Sequence, residues 1–471
     1  MTIKTSPSVQ STTTAKPVHD YQLVVMGGGP SGVMAATMAA RMGVKTLLVE
    51  RGGFLGGTLT MMGVSPMMSF HNPAGEQVVW GLADEMVERL KAAGASPGHV
   101  LDSITYCSTV TPFDAEALKR VLEEMVVEAG ADILYHTMLA DVTREDDRIT
   151  GLVVCNKAGL STLTADHYVD ATGDGDVATR AGLPFLQGRD SDNATQPMTM
   201  NVKIGGVDIE RIKQDVQQNP GNYEFDLGPE EGVRRALTSD RLSLKAYGPQ
   251  WMAYRERNQV TIPRQYILFF ETNERGTVVV NSSRLQGYDG TNPWDVTRAE
   301  IEGRRQCYQI FDFLKSEALG FENSVLLSTP YHVGIRDTRR IQGDYTLTAD
   351  DIINQTRHPD TIAQGAYPID VHSPDKEATD SIHLSPDHTY YIPLRSLYSQ
   401  QCNNLIIAGR CISADHDAFS AIRVTPIAMS IGQAAGAAAA TAIQSGSPIH
   451  KVNVTAVQGA LQAQDARLQL A

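Results

Sequence analysis

Cysteine is scarce in this chain. Five occur in 471 residues, at Cys107, Cys155, Cys307, Cys402 and Cys411. Their number is odd and no two form a CxxC pair, which argues against a disulfide framework and a structural zinc site. A reducing compartment, the cytoplasm, is the expected location. Basic charge is short as well: 40 Lys and Arg against 54 Asp and Glu leave a net charge of −14. Such a surface repels phosphate backbones, so nucleic acid is not an expected partner. No apolar run reaches the roughly 20 residues of a bilayer span. The nearest approach, IAMSIGQAAGAAAATAI from Ile427, is mostly Ala and Gly and reads as a buried helix, so no integral membrane segment is expected. Residues 1–20 are rich in Ser and Thr, hold no secretory core and read as a disordered tail. A composition of 42% hydrophobic and 20% charged residues is that of a globular protein. The length allows two or three domains.

What is present begins at residue 21. YQLVVM is an apolar run that reads as a buried strand, and GGGPSG follows at once. Gly27, Gly29 and Gly32 then stand in a Gly-x-Gly-x-x-Gly pattern, with Pro30 and Ser31 opening the helix VMAATMAARMG. A second strand, VKTLLVE, ends in Glu50. Strand, glycine turn, helix, strand and acid in this order form the β-α-β dinucleotide fingerprint. Glycines let the backbone approach a pyrophosphate, and the helix N-terminus offers free N–H groups. Glu50 would accept hydrogen bonds from ribose hydroxyls. The fingerprint alone does not choose between NAD and FAD. RGGFLGGTLT comes next, with Arg51, Gly56, Gly57 and Thr58 placed to let something extended pass close to the backbone.

Further elements follow. FDAEALKRVLEEMVVEAG reads as a helix with Asp114 as N-cap and an apolar stripe of Leu118, Val121, Leu122, Met125 and Val126. ADILYHTMLADV, ending at Val142, reads as a strand returning to the sheet. HYVDATGDGD is a strand leading into Thr172, Gly173 and Asp174. NLIIAGRC is a strand leading into the Gly409–Arg410 turn. Thr425 and Pro426 read as the N-cap and first residue of a helix that continues through Ile427. Residues 219–250 are poorly periodic and carry no assignment.

These motifs, with GIRDTRRIQGDYTL from Gly334 and YYIPLRSL from Tyr390, resemble the FAD-dependent oxidoreductase family of the glutathione-reductase-type flavoproteins. That group includes the fumarate reductase and succinate dehydrogenase flavoproteins. The resemblance covers roughly residues 21–443. It implies an α/β, Rossmann-like FAD/NAD(P)-binding fold with an inserted mixed α+β cap domain. The expected division is a discontinuous FAD-binding domain, 21–195 and 385–471, around a substrate domain, 196–384. FAD is the implied cofactor, with the helix at Thr425 aimed at the flavin.

Candidate catalytic residues are His416, Arg423, Arg336, Tyr391 and His71. His416 is the first choice for proton transfer, because imidazole titrates near neutral pH. Arg423 and Arg336 would hold an anion, in a chain whose net charge is −14. No His/Asp/Glu cluster has metal spacing, so no metal is expected. Residues 196–384 carry no second GxGxxG, which disfavours a pyridine-nucleotide reductase. The leading reading is an oxidase or dehydrogenase moving hydride between a small hydroxylated or carboxylated substrate and flavin N5. Its electrons would pass to oxygen, a quinone or a protein. A flavin monooxygenase using NAD(P)H and a non-catalytic or electron-transfer flavin protein are the alternatives. Homo-oligomerisation is left open.

Overall fold

The computed structural model describes residues 16–18, 21–377 and 379–470. A five-stranded parallel sheet forms its centre. Its order is Leu405–Ile407, His167–Asp170, Leu23–Met26, Thr46–Val49 and Asp132–Leu134. Leu23–Met26 is buried along its whole length, as expected of a strand covered on both faces. Helix Ala115–Glu128 is capped by Asp114, whose carboxylate accepts from Glu116 N and Ala117 N at 2.8 and 2.9 Å. It buries the stripe Leu118, Val121, Leu122, Met125 and Val126.

Most of the expected tail lies outside the described residues. Lys16–Val18, however, form a strand parallel to Lys16's partner segment Gly159–Leu163. That piece is not a free tail, because its main chain pairs with the edge of a four-stranded sheet.

Two apolar cores are separate. One draws on residues from Leu23 to Phe185 and again from Ile341 to Leu461. The other is confined to Met198 through Ile335. The packing therefore returns to the first core at Ile341, earlier in the chain than residue 385. The second core lies under a six-stranded sheet that includes Val202–Gly205, Val278–Val280 and the edge strand Val325–Ser328. Residues 219–250 supply the helix Pro229–Thr238 and the strand Ser243–Ala246 to this part.

Helix Thr425–Ser445 is the one helix among the described residues long and apolar enough to cross a membrane, but 83% of its most apolar window is buried. It packs on helix Pro30–Arg41. A Cβ at Gly432 would overlap the Ser31 backbone, and one at Gly436 the Ala35 backbone. The Ser31 hydroxyl donates to Ala428 O across this contact at 2.8 Å.

Candidate active site

The carboxyl ends of the parallel strands converge on one cavity of about 380 Å³. Gly27, Glu50, Thr172 and Gly409 each follow such an end and line it. In open α/β sheets this is where ligands bind. Helix Pro30–Arg41 points its N-terminus at the cavity through Gly29, Pro30 and Ser31. Glu50 is buried; its two oxygens accept from Gly28 N and Gly52 N, each at 2.7 Å. These bonds fix the carboxylate and leave lone pairs for ribose hydroxyls.

Arg51, Gly57, Thr58, Gly173, Asp174, Arg410 and Thr425 also line the cavity. Asp174 accepts from Thr338 Oγ1 at 2.7 Å and pairs with Arg410. Thr425 is the first residue of its helix, with Val424 as the N-cap, one position earlier than expected.

Four expected cofactor contacts lie elsewhere. Gly32 is inside the turn, where a Cβ would overlap the Gly27 carbonyl oxygen. Gly56 packs beside Thr60 and Leu122. The strand expected to end at Val142 is broken: Asp132–Leu134 joins the parallel sheet, and Met138–Glu145 belongs to the four-stranded sheet, where Val142 packs on the first core while Met138 and Leu139 reach the cavity. Ile427 is turned into the core, because helical spacing presents Val424, Thr425 and Ala428 instead.

Three expected catalytic residues also lie away from it. His416 opens the helix His416–Ile422, with Nδ1 3.2 Å from Asp417 and Nε2 3.8 Å from buried Asp337. It belongs to the ion-pair network that includes Arg340 and Asp337. Tyr391 is buried and donates to Gln469 Oε1 at 2.8 Å. His71 bonds Thr109 Oγ1 at 2.9 Å; burial, then His99, push its imidazole down to about 4. His416→Gln should therefore slow turnover less than about tenfold, whereas losing a proton-transfer group costs about 100-fold or more. Comparing the rates of substrate-driven flavin bleaching checks this.

Arg336 and Arg423 do line the cavity, with partners the sequence did not suggest. Arg423 donates to Asp370 Oδ2 at 3.1 Å. Tyr367 donates to the same oxygen at 3.0 Å, and His372 Nε2 lies 3.3 Å from it. Arg336 donates to Thr199 Oγ1 at 3.1 Å and to Pro197 O. Arg284 Nη1 lies 3.4 Å from His372 Nδ1. A guanidinium only donates, so Nδ1 is the acceptor and the imidazole proton sits on Nε2, toward Asp370.

The electrostatics are lopsided. Burial alone would raise the Asp370 carboxyl; His372 and Arg423 hold it far below the usual carboxylate range. Burial, then Arg336, push His372 down to about 3, so it is neutral at pH 7. Burial, followed by Arg423, lowers Arg336 well below the ordinary guanidinium value, with Arg284 and Arg264 adding to it. Arg336 and Arg423 thus share the cavity wall with one carboxylate, Asp370, while Arg284 and Arg264 lie close enough to act on Arg336, so the positive charge here exceeds the negative. Tyr367, Asp370 and His372 were missed in the sequence. YPIDVH carried a signal: Asp370 and His372 are two apart on the strand Ile369–His372 and so share a face.

A glycine turn, a helix N-terminus and a buried acid around a carboxyl-end cavity define a Rossmann-like dinucleotide-binding protein. The sequence profile of the FAD dependent oxidoreductase family matches residues 22–461, and the chain belongs to that family. It is an enzyme, and FAD is its cofactor. Thiamine thiazole synthase of Methanococcus vannielii is 33% identical over 162 residues, covering 33% of this chain and 56% of that protein. The chain thus spans little more than half the length of this relative. The Aeropyrum pernix thiamine thiazole synthase is 32% identical over 210 residues, covering 42% and 67%. Among solved structures, a geranylgeranyl bacteriochlorophyll reductase-like protein from Thermoplasma acidophilum matches 96% of this chain and 83% of its own, at 13% identity and a TM-score of 0.47.

The residues present fit FAD. At Gly29 the space a Cβ would fill has no neighbour within 4 Å, so the helix N-terminus is open to a phosphate group. The Nε of Arg410, buried on the cavity wall, has no hydrogen-bond partner among the described residues. Both are features that a bound anion completes.

Proposed function

We propose that this FAD-dependent oxidoreductase is of the glutathione-reductase type and oxidises a small carboxylated, hydroxylated substrate. The cluster of Arg336 and Arg423 beside Asp370 on the cavity wall carries this reading. Bound FAD supplies the hydride acceptor at the flavin. The protein's own residues do the rest. Arg336 and Arg423 bind and orient the substrate carboxylate. Asp370 holds Arg423, Tyr367 and His372 in place. His372, neutral and protonated on Nε2, takes the substrate proton at Nδ1 in exchange for its 3.4 Å contact with Arg284. Val424, Thr425 and Ala428 close the wall on the helix side. Without a second GxGxxG, the electron acceptor in this reading is oxygen, a quinone or a protein. Five free cysteines suit a reducing compartment such as the cytoplasm.

The experiment is anion binding to the FAD-loaded protein, followed through the flavin absorbance. Arg336→Gln should weaken binding of a carboxylate about 10- to 100-fold while FAD stays bound, since a charge-assisted bond is worth roughly 1.5–3 kcal/mol. Unchanged carboxylate binding would remove the anion role.

A further inference from the structure

The cavity has a second kind of unmet bond, on the wall contributed by the insertion. Asn201 is 4% exposed and lines the cavity, yet its Oδ1 has no hydrogen-bond partner among the described residues. Its amide orientation is fixed, because Nδ2 donates to Gly63 O at 3.0 Å. The free atom is therefore an acceptor. The antiparallel ladder pairs Val202 with Val280, so the next residues outward are Asn201 and Asn281. Asn281 also lines the cavity with an unpartnered Oδ1. Thr199, two residues before Asn201 and on the same side of the extended chain, holds Arg336. The amide oxygens thus sit beside the arginine cluster.

An acceptor buried without a donor destabilises the empty site, and a ligand that brings the donor relieves it. Arg336 does not do so: its Nη atoms donate to Pro197 O and Thr199 Oγ1, and its remaining N–H groups are left for a carboxylate. A carboxylate cannot either, since it only accepts. A hydroxyl on the same molecule supplies that donor. We infer that Asn201 is a specificity-determining residue that selects a hydroxy acid, accepting a hydrogen bond from the substrate hydroxyl while Arg336 and Arg423 hold its carboxylate. This inference rests on the anion reading above and assigns recognition of the hydroxyl to a particular residue. Asn281 supports the same hydroxyl or a neighbouring one, which favours acids carrying more than one.

The test uses the FAD-loaded protein and matched pairs of acids: lactate with propionate, malate with succinate, and gluconate with hexanoate. Binding is read from the flavin spectrum. The wild type should bind the hydroxy acid of at least one pair about tenfold or more tighter than its partner. In Asn201→Leu that preference should fall to about twofold or less, with the weaker binder unaffected. Asn281→Ala, which leaves the Asn201–Gly63 bond intact, should lower the preference in part, and it serves if Asn201→Leu does not fold. Equal binding within every pair overturns the inference and leaves the anion reading standing. So does a preference that survives in Asn201→Leu. A variant that loses FAD, or whose flavin spectrum shifts without any acid, overturns it too, because Asn201 would then face the cofactor. No response to any acid, with FAD bound, sinks the anion reading and this inference together.

Discussion

Gly29→Ala is expected to fold with wild-type stability and to bind FAD at least about 100-fold more weakly, a loss of roughly 2.7 kcal/mol. Gly29 has φ −71° and ψ −176°, which alanine adopts without strain. No atom lies within 4 Å of the added Cβ, so nothing in the protein resists it. The methyl group would instead occupy space at the helix N-terminus that a phosphate needs for close approach. Gly32→Ala should behave differently. Its Cβ would overlap the Gly27 carbonyl oxygen, a backbone atom that cannot swing aside. That variant should lose about 3 kcal/mol of stability as well as FAD. Thermal unfolding, with and without added FAD, separates the two. If Gly29→Ala kept its FAD affinity, the cofactor would not approach this turn. Equal destabilisation of both variants would mean that turn geometry, not ligand space, sets the glycine pattern.

His372→Gln should slow substrate-driven flavin reduction by about 100-fold, the lower range for a proton-transfer group, with FAD retained. The pH dependence gives the sign. His372 is held down to about 3, so it is already unprotonated from pH 8 to pH 5. The wild-type rate should therefore not fall with a midpoint near 6.5 across that range. Such a midpoint would reassign the proton to another group. The same shift affects stability. In the unfolded chain this imidazole binds a proton near pH 6.5, whereas in the folded protein it does so only near pH 3. The unfolded state thus gains protons first as pH falls, and stability declines from about pH 6.5 downward. Asp370 acts in the same direction at lower pH, because its folded carboxyl lies below the ordinary value. Chemical denaturation at pH 7.5 and 5 should show this slope, reduced in His372→Gln.

The cofactor half of the site was legible because its requirements are local. Gly27, Gly29 and Glu50 act through backbone turns, one helix end and one strand end. Each lies within a short stretch whose residue types state its geometry. The Asp114 cap and the apolar stripe of its helix are readable for the same reason. Errors began where position along an element mattered. Ile427 lies in a correctly read helix whose rotation carries it off the cavity, whereas the single strand expected to end at Val142 is two strands in two sheets, Asp132–Leu134 and Met138–Glu145. His416 was chosen for its chemistry and its neighbours in sequence. In the folded chain it turns to Asp417 and Asp337 instead.

By itself, the sequence determined the parallel sheet, the glycine turn, the acid at Glu50 and the family to which the chain belongs. Arg336 and Arg423 were candidates from the sequence, and only the tertiary structure supplied the rest of the wall proposed for the substrate. Asp370 joins Arg423, Tyr367 and His372; Arg284 and Arg336 close around them; Asn201 comes in from the insertion. These residues are spread from 201 to 423, and none needs a particular neighbour in sequence to be stable. What unites them is electrostatic. Buried arginines need an anion, and a buried amide oxygen needs a donor. Such a demand is felt through space, across two separately packed cores, so no local pattern records it.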